Sequence, residues 1–368
     1  MKQCAECGFP ARFADFFEWR GDGTIVMKQR GVLLQIALLD ADELQSLFDR
    51  VSEEIGFSVD HTLVEAQRRV GKAIYAIRPI PLIDHIPRSR LARPQWAIKA
   101  IIDRVGKDLA AIGFGVVRVQ SYRAGENMSL RVENACLAPR LVGSFLGAVE
   151  VVEGVPMKAD YRLDGDTLTI DVSRSDEPDT EVERFYLEQV RPAGMSLDYD
   201  RCSQCGAPLK IARMIDWDQA RGRIIDRNTG HRSVMFAVQS LNALQRELEA
   251  ELGASVADIL YRSQLEISKQ SPGGSPVDMR GSFWDGFFLG MALRGMGHPD
   301  SFESDEGGIS VRISNAYNDT LYAARVAAAL EARTGKPGEL TWGDREKETV
   351  SFTISTDWAG TSVPDVPR

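Results

Sequence analysis

The stretches CAECG at 4–8 and CSQCG at 202–206 decide how this chain is organised, because each one opens the same longer pattern. Five residues return 198 positions later: Cys4, Cys7, Gly8, Pro10 and Trp19 as Cys202, Cys205, Gly206, Pro208 and Trp217. After a small insertion or deletion, the pattern at 44–56 returns at 241–253. Four later positions also recur: Gly113, Gly115, Arg131 and Asn134 as Gly295, Gly297, Arg312 and Asn315. A repeat of this length indicates a duplicated domain rather than a solenoid of short units.

Length and composition fit two ordinary globular domains. The chain has 368 residues and a formal net charge of −9, and an acidic surface disfavours binding to DNA or RNA. The longest apolar run, at 32–39, is too short to span a bilayer, and the N-terminus lacks the pattern of a signal peptide. We therefore expect a cytoplasmic protein without a membrane span. We place the first repeat at 1–178, an acidic, proline-containing linker at 179–198, the second repeat at 199–357 and a tail at 358–368.

Hydrophobic periodicity predicts an α+β fold for each repeat. Alternating segments around glycine turns predict one hairpin at 13–28 and another at 211–226. The next stretch predicts an amphipathic helix, with Asp40 and Glu43 as a capping box and Gly56 as its stop. Further helices and strands follow in each repeat. We expect two homologous domains, each an antiparallel sheet with helices packed on one side, related by a pseudo-twofold axis.

Each C-x-x-C-G turn is half of a tetrahedral four-cysteine metal site. The second half of such a site usually follows within a few tens of residues, but here it lies in the other repeat. Two turns related by a pseudo-twofold axis would close one site from four residues: Cys4, Cys7, Cys202 and Cys205. We expect a structural Zn²⁺ there. An iron–sulfur cluster uses the same ligands, and a reversible dithiol is a further alternative.

Three segments of the first repeat carry a likeness to a known family. They are IGFGVVRV at 112–119, LRVENACLAP at 130–139 and LVGSFLGAVEVVEG at 141–154. The corresponding segments of the second repeat are RGMGHPDSF at 294–302, ISVRISNAYND at 309–319 and LYAARVAAALEARTG at 321–335. On these segments the region 71–173, and less closely its counterpart, resembles the 4-vinyl-reductase-type domain, a module that binds small hydrocarbon-like ligands.

The resemblance implies an apolar cavity between helices and sheet in each repeat. The residues expected to line it are Trp96, Ile101, Val105, Phe114, Cys136 and Phe145 in the first repeat and Trp284, Phe287, Met291 and Tyr317 in the second. Members of the family often carry further cysteines that hold a metal beside the pocket. Here Cys136 is the sole cysteine of that region, and Tyr317 stands at the matching position. That second metal site is therefore not expected.

Motifs for catalysis are weak in this sequence. Gly113 and Gly115 follow a predicted helix and enter a strand, which is the reverse of a dinucleotide-binding turn. The chain also lacks the spacing of a P-loop. We therefore expect a binding protein for a small apolar or aromatic molecule rather than an enzyme. The alternatives are an accessory or assembly subunit that docks on a larger metabolic enzyme, and a reductase of a vinyl-type group.

Overall fold

The computed structural model describes residues 2–29, 32–77, 95–176, 197–270, 283–346 and 349–356. Within these residues there are ten helices and fourteen strands, which form three antiparallel sheets. The predicted α+β class is confirmed. We call residues 2–176 the first half and 197–356 the second half. The predicted tail, and the predicted linker up to position 196, lie outside the described residues, and the domain limits stay predictions.

The two halves contain the same kinds of element in the same order. The first half has α1 (Ala11–Phe16), β1 (Phe17–Trp19), β2 (Ile25–Gln29), β3 (Val32–Asp40), α2 (Ala41–Ile55), α3 (Asp60–Ile77), α4 (Gln95–Ala111), β4 (Val116–Arg123), β5 (Asn127–Glu133), α5 (Ala138–Glu153), β6 (Met157–Asp164) and β7 (Thr167–Arg174). The second has α6 (Leu209–Met214), β8 (Ile215–Asp218), β9 (Arg223–Asp226), β10 (Arg232–Ala237), α7 (Val238–Leu252), α8 (Ser255–Gln270), α9 (Phe283–Leu293), β11 (Ser301–Ser304), β12 (Gly308–Ser314), α10 (Asp319–Thr334), β13 (Glu339–Glu346) and β14 (Thr349–Ser355).

A six-stranded sheet joins the halves, with strand order β1-β2-β3-β10-β9-β8. Its central pair is β3 with β10, and Leu38 lies opposite Met235 at the middle of that pair. The flanking pairs are Ile36 with Ala237 and Asp40 with Ser233. This sheet corrects the expectation of one sheet per repeat. The run at 32–39 is apolar on both faces, so its pattern did not distinguish a strand from a buried helical segment, and its partner strand lies in the other half.

The other two sheets have the same topology, one in each half. Their strand orders are β4-β5-β7-β6 and β11-β12-β14-β13. In each sheet the two central strands turn buried aliphatic or aromatic residues towards the helices and polar residues away from them. This is the alternation of a sheet with one covered face. Strands β6, β11 and β13 were not predicted, because much of β6 and β11 is exposed and lacks an apolar face.

Helices from both halves pack on one another and against the sheets. Helix α3 packs on α5, and α8 on α10; across the halves, α2 contacts α8 and α3 contacts α7. The α3–α5 pair is close because Gly143 and Gly147 face α3: a Cβ at Gly147 would lie 2.2 Å from the carbonyl oxygen of Arg68. Among the described residues, no helix is both long and apolar enough to cross a membrane.

The predicted ends of helix α2 are confirmed at Asp40 and Gly56, but the predicted role of Glu43 is wrong. Asp40 caps it by accepting hydrogen bonds from the backbone N–H groups of Asp42 and Glu43, and Gly56 ends it with a left-handed φ of 82°. The reciprocal half of the predicted capping box is absent. The Glu43 side chain turns inwards and forms a buried ion pair with Arg325 of the second half.

The predicted hairpins start later than expected. Residues 11–16 and 209–214 form short helices, so the first strands begin at Phe17 and Ile215. Phe13 and Phe17 pack edge to face at 5.2 Å between ring centroids, which favours the helical turn that brings them together. The alternation of the sequence was therefore a misleading signal before these strands.

Each hairpin turn docks on a glycine pair of the opposite half. The backbone N–H of Gly297 donates to the carbonyl of Gly23, and that of Gly115 donates to the carbonyl of Gly222, each at 3.0 Å. Two side chains from the central sheet also cross between the halves. Gln35 donates to the backbone carbonyls of Gly295 and Asn315, and Arg232 to those of Gly113 and Asn134. The recurring glycines and asparagines thus mark contacts between the halves.

Candidate metal centre

Each C-x-x-C-G segment forms a closed knuckle with the same hydrogen bonds. In the first knuckle, Cys4 N–H donates to the carbonyl of Phe9 at 2.8 Å and Gly8 N–H donates to that of Cys4 at 2.9 Å. In the second, the matching bonds from Cys202 and Gly206 are both 2.9 Å. The glycines have φ of 74° and 73°, a left-handed conformation that favours glycine. The motif therefore folds alike in both places.

The two knuckles face each other although 198 residues separate them. The Sγ atoms of Cys4 and Cys202 lie 3.7 Å apart, and those of Cys7 and Cys205 lie 3.5 Å apart. All four Sγ atoms lie within 4.8 Å of one another. Zinc–sulfur bonds of ~2.3 Å place the sulfurs of a tetrahedral site ~3.8 Å apart. The four cysteines therefore already have nearly the spacing that one metal ion requires.

Aromatic packing beneath the knuckles holds them together. The Phe9 ring lies between Trp19 of its own half and Trp217 of the other, with centroid distances of 5.6 and 5.3 Å. Phe13 also contacts Trp217, at 5.6 Å. These residues are buried in a hydrophobic cluster distinct from the main core. The arrangement of the cysteines is thus supported by an apolar platform to which both halves contribute.

The thiols of the site do not share one pKa. Backbone hydrogen bonds, first that from Cys7, lower the pKa of the Cys4 thiol to about 7. Burial raises the pKa of Cys7, and it raises the pKa of Cys205 to about 12. The thiolate is the form that binds a metal. Cys4 therefore ionises more readily than Cys7 and Cys205, and a metal that binds here would displace the thiol protons.

Four thiolates at this spacing fit one Zn²⁺ or another single ion that prefers tetrahedral sulfur ligands. An iron–sulfur cluster fits less well. Its cysteines bind iron atoms that are bridged by sulfide, so their sulfurs lie further apart than around one ion. The cysteines are also unpaired in the structure, with no disulfide among them. A single-ion centre is the arrangement that the distances favour.

Two polar residues beside the sulfurs were not singled out in the sequence. Glu6 and Gln204 occupy the same position in their knuckles, immediately before the second cysteine. The Oε1 atom of Gln204 lies 3.2 Å from Cys4 Sγ and accepts a hydrogen bond from that thiol. The sequence did contain a signal for these two residues. Both CAEC and CSQC have a polar side chain with a hydrogen-bond acceptor at this position.

The residues predicted to line a ligand cavity lie in the main hydrophobic core, which spans both halves. Seven are buried there: Phe114, Cys136, Phe145, Trp284, Phe287, Met291 and Tyr317. Val105 is half-buried against them. Trp96 and Ile101 belong to α4, but their side chains lie outside the described part of the chain. Whether these residues enclose a cavity stays a prediction. The Cys136 thiol is not part of the four-cysteine cluster, and burial raises its pKa to about 11.

Comparisons of the chain with protein-family models, with curated proteins and with solved structures give no match. The geometry of the site therefore carries the functional argument by itself.

Proposed function

We propose that this chain consists of two copies of one unit and that a single structural zinc ion fastens them. The repeated order of elements, the identical topology of the two outer sheets and the paired glycine contacts support the duplication. The central strand pair supports a pseudo-twofold axis through Leu38 and Met235, because these positions correspond in the repeat and lie opposite each other. Self-complementary contact of this kind is typical of a twofold interface.

One observation carries the zinc proposal. Cysteines from knuckles 198 residues apart approach to 3.5 and 3.7 Å, the spacing expected around a tetrahedral ion. Four thiols so close together would otherwise repel once they ionise. A zinc ion neutralises this charge and links the two knuckles through bonds stronger than the aromatic contacts below. It would therefore stabilise the folded chain relative to the unfolded one.

We expect one zinc ion per chain after purification at neutral pH. Cys7→Ser or Cys205→Ser should lower the zinc content to well below one, because each change removes one of four thiolates. Cys136→Ala is the matched control, since it removes the fifth cysteine without touching the centre. Native mass spectrometry and elemental analysis measure the content. Two ions per chain, none, or full zinc in the Cys7 and Cys205 variants would contradict the proposal.

We further propose that the second half binds a small aromatic molecule bearing one hydrogen-bonding group. The sequence resemblance to ligand-binding domains supports this, and so does the interior of that half. Helix α9 supplies a cluster of aromatic rings: Phe283, Trp284, Phe287 and Phe288. The Phe288 ring is parallel to that of Tyr322, with their centroids 6.5 Å apart. A ligand would enter by separating rings that are now in contact.

Tyr322 gives this interior its polar group. The residue is fully buried, and its hydroxyl has no hydrogen-bond partner among the described residues. Leaving such a group unsatisfied costs about 1–3 kcal/mol, so a water or a ligand is the usual explanation. The corresponding position in the first half is Leu141, which offers no such group. The two interiors therefore differ in what they can bind.

Naphthalene and 1-naphthol test this proposal as a pair of probes. We expect saturable binding of both by equilibrium dialysis, with 1-naphthol bound about tenfold more tightly, as one hydrogen bond to a buried hydroxyl would give. Tyr322→Phe should remove that preference and leave naphthalene binding nearly unchanged. Leu141→Met, in the other half, should alter neither. Absence of saturable uptake, or an unchanged preference in the Tyr322 variant, would argue against the site.

A further inference from the structure

The tips of the two knuckles are tied together by reciprocal hydrogen bonds. The Glu6 carboxylate accepts from the backbone N–H of Gln204, and the Gln204 side-chain oxygen accepts from the backbone N–H of Glu6, each at 3.2 Å. Ser203 also donates its hydroxyl proton to Glu6 at 2.7 Å. Glu6 and Gln204 are thus equivalent in position and in backbone contacts. They differ in that Glu6 carries a charge and in that Glu6 also accepts from Ser203, whose counterpart in the first knuckle is Ala5.

Each of these side chains also lies beside the opposite knuckle. Cys4 Sγ donates to the Gln204 oxygen at 3.2 Å. The Glu6 carboxylate accepts from Ser203 and Gln204, the two residues that follow Cys202, and its negative charge therefore lies beside the second knuckle. The Gln204 contact requires a proton on the sulfur. Metal binding removes the thiol protons and turns each sulfur from a donor into an acceptor.

The two side chains respond differently to that change. The Gln204 amide can rotate, so that its NH₂ group donates to the Cys4 thiolate in exchange for the bond that its oxygen accepts from the backbone N–H of Glu6. An ionised Glu6 has no proton to donate, and its negative charge would remain beside the Cys202 thiolate. Hydrogen bonds from neighbouring groups to a ligand atom are known to tune metal affinity. The equivalent positions therefore act in opposite directions.

We propose that Glu6 weakens and Gln204 strengthens metal binding at the four-cysteine centre, so that the pair sets how readily the ion exchanges. This inference rests on the proposed zinc site. It identifies two positioning residues that bind no metal themselves. The ion at this centre would be held less tightly than in a chain with glutamine at both positions, so that a chelator or a competing thiol withdraws it more readily.

An exchange of the two residues tests the proposal. Glu6→Gln should tighten zinc binding about fivefold and Gln204→Glu should weaken it about fivefold, the effect of one unit charge ~4 Å away in water. The double variant Glu6→Gln/Gln204→Glu should bind within about twofold of the original chain, because the pseudo-symmetric positions exchange their roles. Zinc affinity is measured on the full chain by competition with a chromophoric chelator at fixed pH. Higher salt should reduce both shifts, since the side chains are exposed.

Cobalt(II) binding separates failure of this inference from failure of the zinc site. The centre forms if the original chain and all three variants show thiolate-to-cobalt absorption. If it forms, equal zinc affinities in the original chain and the single variants, or shifts of the same sign in the two single variants, would overturn the roles of Glu6 and Gln204. If the original chain gives no such absorption and binds no zinc, the proposed centre itself is wrong. The inference about its neighbours then fails with it.

Discussion

Gly23→Ala is expected to destabilise this protein far more than Gly230→Ala, although the two glycines have almost the same backbone conformation. Their φ angles are 76° and 73°. A Cβ at Gly23 would lie 2.6 Å from the backbone nitrogen of His298 and 2.7 Å from the carbonyl carbon of Gly297. At Gly230 no atom of the described residues lies within 4 Å of the added atom. The comparison therefore isolates the contact between the halves from the cost of a left-handed alanine.

The expected magnitudes follow from these two contributions. A left-handed alanine costs about 1–2 kcal/mol, which is the full loss expected at Gly230. Gly23→Ala should cost about 2–3 kcal/mol more, because the atoms that must move belong to the backbone and cannot rotate away. Gly222→Ala should behave like Gly23→Ala, since its Cβ would lie 2.5 Å from the carbonyl carbon of Gly115. Urea unfolding followed by fluorescence measures all three, and equal losses at Gly23 and Gly230 would contradict the docking contact.

The glycines on which Gly23 and Gly222 dock show what the recurring pattern revealed and what it could not. Their recurrence at 113 and 115 and at 295 and 297 was visible in the sequence. Their partners were not, because a close approach between backbones leaves no pattern of side-chain types. The same applies to the recurring asparagines: Asn134 and Asn315 have φ of 52° and 56° and present their backbone carbonyls to the other half.

The candidate metal site could be predicted from the sequence more fully than the contacts between the halves. A knuckle motif fixes its local shape through the cysteine spacing and the following glycine, and the absence of a nearby second knuckle left the other repeat as its partner. The convergence of Cys4, Cys7, Cys202 and Cys205 was predicted on that basis. The sheet that brings the knuckles together was not predicted, because β3 and β10 are almost 200 residues apart in the sequence. A short apolar run does not indicate which strand it will pair with.

Arg325→Leu is expected to cost about 3–5 kcal/mol of folding free energy, because it leaves a buried carboxylate without its partner. Arg325 pairs with Glu43 of the first half, and their side chains are only 14% and 6% exposed. Arg325 also donates to the Tyr317 hydroxyl at 3.0 Å. Burial alone would lower the pKa of Arg325, but Glu43 and Tyr317 outweigh it and raise that pKa. The guanidinium therefore stays charged in the core.

The matched control is Arg262→Leu. Arg262 also pairs with a glutamate of the first half, Glu54, but both side chains are largely exposed. Water screens such a pair, so the expected loss is below about 1 kcal/mol. Both changes remove an arginine from an ion pair between the halves, and they differ in burial. Similar losses in chemical unfolding would show that the Glu43–Arg325 pair is more hydrated than its exposure indicates.

A double variant separates the value of the pair from the cost of breaking it. Glu43→Leu/Arg325→Met removes both charges, and we expect it to be more stable than Arg325→Leu alone, since no buried charge remains unpaired. The recurring pattern supports this expectation, because Ser240 stands where Glu43 does and Ser144 stands where Arg325 does, and neither serine carries a charge. The fold thus tolerates uncharged residues at this contact. A double variant as unstable as the single one would mean that the ion pair, rather than the avoidance of a lone charge, holds α2 against α10.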